Sequence, residues 1–403
     1  MTAYLIEWLS LLGRWVHLIT GIAWIGSSFY FVWLDNHLQT PASPQLRQGG
    51  VGGELWAVHG GGFYNAHKYQ LAPAQLPPKL HWFYWEAYST FLSGLFLLAL
   101  MYYFQADLYL IDNNVAALSK PIAVLIGVSY LAGGWLVYDG LCRTRLAQRG
   151  LLLAIILTVL LSVAAWSLCQ LFSGRGAFLQ FGAMLGTIMV ANVFFIIIPG
   201  QREMVRAKQD GREPDPQAAK RAKLRSVHNT YFTLPVLFTM LSNHYAMVFG
   251  ARYNWLVLIA LCLSGALIRA WFVMRHKAAD RGGKTPFWPA ATGLALLAAV
   301  IVWLSPAHTR QAAGPASPQQ AFTQAREIIQ TRCASCHAAH PTQPGIAEAP
   351  KGVMLETTEQ ILKQTTQMQQ QLASHAMPIG NLTAMTERER KQLLQWIADG
   401  TPH

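Results

Sequence analysis

Along the first 305 residues, long apolar stretches alternate with short polar ones. Eight of the stretches are long enough to cross a bilayer core of about 30 Å as helices. They lie near 8–34, 81–104, 120–140, 150–172, 176–198, 227–249, 253–275 and 287–305. Past residue 305 the pattern changes. The polar stretch 306–319, ending near Pro315-Ala-Ser-Pro318, reads as a tether. In 320–403 the segments are shorter and amphipathic: a helix is predicted from Gln320 to Arg332, and Thr386-Glu-Arg-Glu389 forms a capping box. The helix it opens turns Leu393, Leu394, Trp396 and Ile397 inward. The pattern predicts an all-α chain, with an eight-helix integral membrane bundle over 1–305, a linker over 306–319 and a small helical domain over 320–403.

Composition agrees with a membrane protein. Charged residues make up only 12% and hydrophobic ones 53% of the chain, where a soluble domain is about one quarter charged. The first apolar stretch has neither preceding basic residues nor a small-residue cleavage site, so it reads as a retained span. Loops at 35–80, 141–149, 199–225 and 275–286 carry 3, 3, 8 and 4 Lys/Arg, while the connections near 105–120, 173–175 and 250–252 carry one each. Eighteen against three is a positive-inside bias that puts both termini on the outer face. The net charge of +12 is therefore mostly topological, and from 323 onward seven basic residues balance seven acidic ones. Basic residues of 202–225 suit an anionic lipid surface, and nothing points to nucleic acid. Cys142, Cys169 and Cys262 stand singly and read as core residues.

Cys333-Ala-Ser-Cys336-His337 has another character. Two cysteines three apart followed by histidine is the pattern for covalent haem attachment, with a zinc or redox CxxC as the alternative use. The imidazole would be the proximal ligand, and a methionine the distal one. Met377-Pro378 follows 40 residues after His337 and is preferred over His340, Met354, His375 and Met385. The Pro344-Gly345 loop is expected to supply the carbonyl that accepts the His337 Nδ1 proton. Residues 320–403 thus resemble a class I cytochrome c domain carrying one haem c. Bacteria attach haem c outside the plasma membrane, which again makes the C-terminus periplasmic and the location the inner membrane.

Histidine is costly in lipid unless it faces a cavity, partner or metal. His17 and His244 fall in the outer half of the bundle and form the first candidate pair for a haem b. His81, His228 and His276 fall near the cytoplasmic face, with His59, His67, Glu86 and Asn229 close by in sequence or depth. His81 and His228 are candidates for a second haem b or for a catalytic pocket. Crossing about 30 Å is too far for one efficient tunnelling step, so one or two membrane haems would complete a relay. Arg14 and Arg269, also within spans, fit propionates. The loop Trp56-Ala-Val-His59-Gly-Gly-Gly62-Phe63-Tyr64 offers glycines for close backbone approach to a ligand, beside aromatics.

Arg14-Trp-Val-His17, Gly21-Ile-Ala-Trp24-Ile-Gly26-Ser-Ser-Phe29-Tyr30, Trp56 to Tyr64, His81-Trp-Phe with Trp85-Glu86, and His228-Asn-Thr-Tyr-Phe-Thr-Leu-Pro235 resemble the PuuD-type urate hydroxylases. The likeness spans essentially the whole chain. The span-one pattern is also similar to HemJ-type protoporphyrinogen oxidases, which are thought to hold haem b, and that analogy favours His17. The resemblance implies oxidation of urate to 5-hydroxyisourate in purine catabolism. Electrons would pass through membrane haem to the Cys333/Cys336/His337/Met377 haem and on to a soluble cytochrome or terminal oxidase, without hydrogen peroxide. His59, His81 and Glu86 are then the candidate bases, with His228 and Asn229 in range; Phe63 and Trp85 would stack on the purine and Arg202 would meet its charge. Two other readings remain open: a haem-relay dehydrogenase for another substrate such as quinol, and a membrane-anchored electron-transfer cytochrome without its own substrate.

Overall fold

The computed structural model describes residues 2–70, 72–280, 285–305 and 318–402. The expected tether falls outside the described residues up to position 317. Helices dominate: α1 Thr2–His37, α2 Trp85–Leu97, α3 Lys120–Arg143, α4 Gly150–Leu171, α5 Gly174–Asn192, α6 Ile198–Gln209, α7 Pro216–Ser242, α8 Asn254–Asp280 and α9 Trp288–Trp303. A π-helical turn, Leu98–Tyr103, extends α2, and another, Val193–Ile197, joins α5 to α6. Among the described residues, five helical runs are long and apolar enough to cross a membrane: Tyr4–His37, Lys120–Arg143, Gly150–Leu171, Gly174–Gln209 and Asn254–Arg275. Trp288–Trp303 is apolar but shorter.

Local chemistry sets the helix starts. Asp215 caps α7, its carboxylate accepting from the Gln217 and Ala218 N–H groups, and Pro216 occupies the first turn, where a missing N–H costs nothing. Ser173 does the same for α5 through the Gly176 N–H. Helix α5 lies at the centre, packed on α3, α4 and α7, with Phe178 and Leu185 fully enclosed. Helix α1 lies outside and packs chiefly on α2. Gly94 of α2 makes that contact possible, because a Cβ there would meet His17 Cε1 at 3.0 Å.

Two sequence expectations change here. Within the 35–80 loop the chain forms an antiparallel hairpin, β1 Val51–His59 with β2 Gly62–Tyr69, so among the described residues a two-stranded sheet stands beside the helices. Gly60 and Gly61 have φ of +57° and +79°, the left-handed conformations a two-residue hairpin turn needs. The glycine run is therefore explained by the turn rather than by approach to a ligand. Helix α7 also ends earlier than expected, at Ser242, and His244 lies in the following turn, exposed.

The C-terminal domain contains α10 Pro318–Arg332, α11 Thr358–Lys363, α12 Thr365–Ala373 and α13 Glu387–Ala398. Its core is formed by Ile329, Ile361, Leu393, Trp396 and Met385, all nearly inaccessible. The Thr386/Glu389 capping box opens α13 as the spacing predicts, and Glu389 Oε1 also accepts from Arg332 Nε and Nη2 at 3.1 and 3.0 Å. This domain rests on the bundle through Ser374–Asn381. The Ser374 carbonyl abuts Gly250, and a Cβ at Gly380 would lie 2.9 Å from the Asp107 carbonyl.

Candidate functional site

A buried polar network joins α3, α5 and α7 near the end of the bundle where the basic loops emerge. Arg225 Nη2 donates to Asp139 Oδ1 at 2.6 Å, and Arg143 Nε donates to Asp139 Oδ2 at 2.5 Å. Arg225 and Asp139 are 3% and 6% exposed, so neither charge has water to stabilise it, and each depends on the other. Arg225 was counted with the topological charges of the loop; the fold instead draws it inward, over the Tyr138 ring at 4.8 Å.

From that pair the bonding directions can be followed outward. Arg225 Nη1 donates to Asn192 Oδ1 at 3.4 Å, which fixes the amide so that Nδ2 faces Asn229 Oδ1 at 2.9 Å and the Tyr138 hydroxyl at 3.1 Å. Asn229 Nδ2 donates in turn to the Met189 carbonyl at 2.9 Å. Tyr138 accepts from Asn192, and its hydroxyl also pairs with His228 Nδ1, 2.8 Å away. When the hydroxyl donates there, a neutral His228 carries its proton on Nε2 and faces the site as a donor. Cys142 Sγ lies 4.0 Å from the same Nδ1.

His228 and Asn229 were anticipated; Tyr138, Asp139, Asn192 and Arg225 were not. The signal was present: Asp139 and Asn192 each interrupt an apolar run, and such residues inside a span mark a buried network or site. The remaining candidates scatter around this network. Glu86 opens α2, and its Oε2 is buried without a hydrogen-bond partner. Neighbouring Ala87 packs with Val190 and Val193, on either side of Asn192, in one apolar cluster. His81 is exposed and packs edge-on against Phe83, with centroids 4.8 Å apart. His59 is exposed beside the hairpin turn, and Phe63 and Trp85 are exposed as well. His67 pairs with Glu54 at 3.8 Å.

His17 lies in mid-α1 with Nδ1 held by the Thr90 carbonyl at 3.0 Å and Ser93 Oγ at 3.1 Å, which leaves Nε2 uncommitted. The structure does not bring it against His244. Both flank the π-helical turn after α2: Arg14 Nη2 reaches Met101 Sδ at 3.3 Å, and Tyr102 donates to Asn243 Oδ1 at 2.8 Å. Side-chain geometry at His276 lies outside the described residues.

In the C-terminal domain His337 Nδ1 donates to the Val353 carbonyl at 2.9 Å. Val353, not the Pro344-Gly345 loop, orients the ring, because the chain after His337 returns beneath it only at Val353–Leu355, where the Leu355 N–H bonds the His337 carbonyl. Burial, then the adjacent Cys336, pushes the Cys333 thiol up to about 12, and burial raises Cys336 as well. Among the described residues no group of three or more His, Cys, Asp or Glu could hold a metal ion directly. Arg390 Nη1 donates to the Leu372 and Met377 carbonyls at 3.1 and 2.7 Å and so fixes the Met377 loop. Met385 is sealed in the core, while Met354 and His340 are exposed.

Neither a curated protein nor a solved structure matches the chain. The model of the family described as urate oxidase N-terminal matches residues 3–305, the whole bundle and its buried network. The chain thus belongs to the urate oxidase N-terminal family, and its apolar helical bundle is that of a urate-related oxidoreductase.

Proposed function

We propose that the chain is a membrane-bound urate hydroxylase that removes two electrons and two protons from urate and adds water at C5, giving 5-hydroxyisourate. One observation carries this reading: a urate-family bundle and a Cys-Xaa-Xaa-Cys-His set occupy one chain, with the His337 Nδ1 tied back to Val353. The donor set fits haem c, since Cys333 and Cys336 are free cysteines three apart beside His337, which keeps Nε2 for iron. His17, anchored in the same way through Nδ1, fits a haem b ligand, with His244 as its proposed partner. When bound, such groups supply one-electron acceptance, which removes any need for oxygen at the substrate.

The chain's own residues provide the rest. Glu86, with a buried oxygen that has no partner among the described residues, takes one of the two protons lost, and the other passes to water. His228 donates from Nε2 to a urate carbonyl and is held in that tautomer by Tyr138 and Asn192. Asn229 has both amide ends occupied, so it positions rather than reacts. With the eight crossings expected from the sequence, both termini and the cytochrome lie in the periplasm. From there a soluble cytochrome or terminal oxidase receives the electrons.

The test is anaerobic addition of urate to the detergent-purified protein, with b-type and c-type absorption bands followed separately. Reduction of both bands, with one urate lost per two electrons gained, is the expected result. Reduction of the c-type band alone, in protein without extractable haem, would remove the roles given to His17 and His244. Failure of urate where dithionite succeeds would overturn urate as substrate.

A further inference from the structure

The span-one motif Gly26-Ser-Ser-Phe29-Tyr30 has no part in the network above, yet it meets an unusual partner. Arg269 of α8 lies with Cζ 4.0 Å from the centre of the Phe29 ring. The side chain belongs to a residue only 8% exposed, and both Nε and Nη2 are buried with no hydrogen-bond partner among the described residues. Tyr231, one turn beyond His228 on α7, is within electrostatic reach. Elsewhere in the bundle the buried guanidinium is fully committed: Arg225 has Asp139, Asn192 and a ring. Among the described residues Arg269 has the Phe29 ring and the electrostatic reach of Tyr231, and no acceptor.

Nε and Nη2 form one edge of the guanidinium, two parallel N–H groups that match a planar acceptor with two oxygens, or an oxygen and a nitrogen, side by side. A buried charge with both of these donors unfilled is costly to keep unless something fills it. We infer that Arg269 is the anion clamp of the bundle and that it receives, edge to edge, a planar oxyanion between α1, α7 and α8. Two sources have this chemistry: the urate anion, and a carboxylate of a propionate side chain. The urate source rests on the function proposed above; the clamp itself does not.

Arg269→Lys keeps the charge and most of the volume but loses the paired edge, and Arg269→Met removes the charge. Full-length detergent-purified protein is compared by anaerobic equilibrium dialysis of urate and by acid-acetone extraction of non-covalent haem. A urate Kd raised at least tenfold in Arg269→Lys, with extractable haem unchanged, supports the clamp and assigns urate to it. Loss of extractable haem supports the clamp and assigns the propionate. Both readouts at wild-type level in the two variants overturn it. If the wild-type protein binds no urate, the substrate reading fails separately, and the haem readout alone decides for or against the clamp. Should Arg269→Met fail to fold, Arg269→Lys still decides.

Discussion

Gly250, in the turn after α7, lies directly under the Ser374 carbonyl of the C-terminal domain, with no room for a side chain between them. The contact puts the Met377 loop against the bundle. A second close approach reinforces it, because Gly380, at φ +54°, faces the Asp107 and Ile111 carbonyls. The first prediction follows. Gly250→Val forces the domain off the bundle while leaving each folded, so amide exchange across Ser374–Asn381 rises at least tenfold. Unchanged exchange there would mean that this contact does not hold the domain.

The Arg225–Asp139 pair is the costliest element to break. Asp139→Leu alone strands Arg225 and costs about 3–5 kcal/mol. Asp139→Leu with Arg225→Met removes both charges and recovers most of that loss. Melting of the detergent-solubilised variants checks it; equal losses in the single and double variants would exclude a mutually dependent pair.

Tyr138→Phe deletes one hydroxyl and leaves both His228 Nδ1 and a hydrogen of Asn192 unpaired. The expected loss of stability is about 1–3 kcal/mol. Turnover with urate falls by more than that loss explains, because the His228 tautomer is released. An activity profile identical to wild type would detach Tyr138 from the chemistry.

Glu389 gives a pH dependence. Burial pushes its carboxyl upward, but the Thr386 N–H, Arg332 and the Thr386 hydroxyl outweigh this, and the net shift is downward. A carboxyl lowered on folding adds stability that is present above its unfolded value, about 4.3, and is lost as pH falls through the lower folded value. Glu389→Gln should therefore destabilise the C-terminal domain by about 1 kcal/mol at pH 7 and by less near pH 3. Chemical denaturation at the two pH values measures the difference; equal effects would contradict the linkage.

The apolar runs, the CxxCH set and the Thr386 capping box were legible from the chain because each depends on neighbours close in sequence. A helix needs only its own spacing, and a capping box spans four residues. Local pattern was less informative in the 35–80 loop, where the glycines served a hairpin turn, and near His244, where α7 stopped at Ser242 instead of running on to 249. The catalytic candidates separated for a different reason. His59, His81 and His228 look alike as letters, but only the packing of α3, α5 and α7 gives His228 a buried hydroxyl partner, while His59 and His81 are left exposed.

The sequence by itself determined which segments are apolar and helical, where the Cys-Xaa-Xaa-Cys-His set lies and the family of the bundle, since these are properties of composition and short spacing. Only the tertiary structure decided which polar groups meet. Asp139 and Arg225 are 86 residues apart and Asn192 and Asn229 are 37 apart, and in an apolar interior such groups gain stability only when the fold pairs them. The unpaired edge of Arg269 was also invisible in the chain, because an unfilled hydrogen bond exists only relative to everything packed around it.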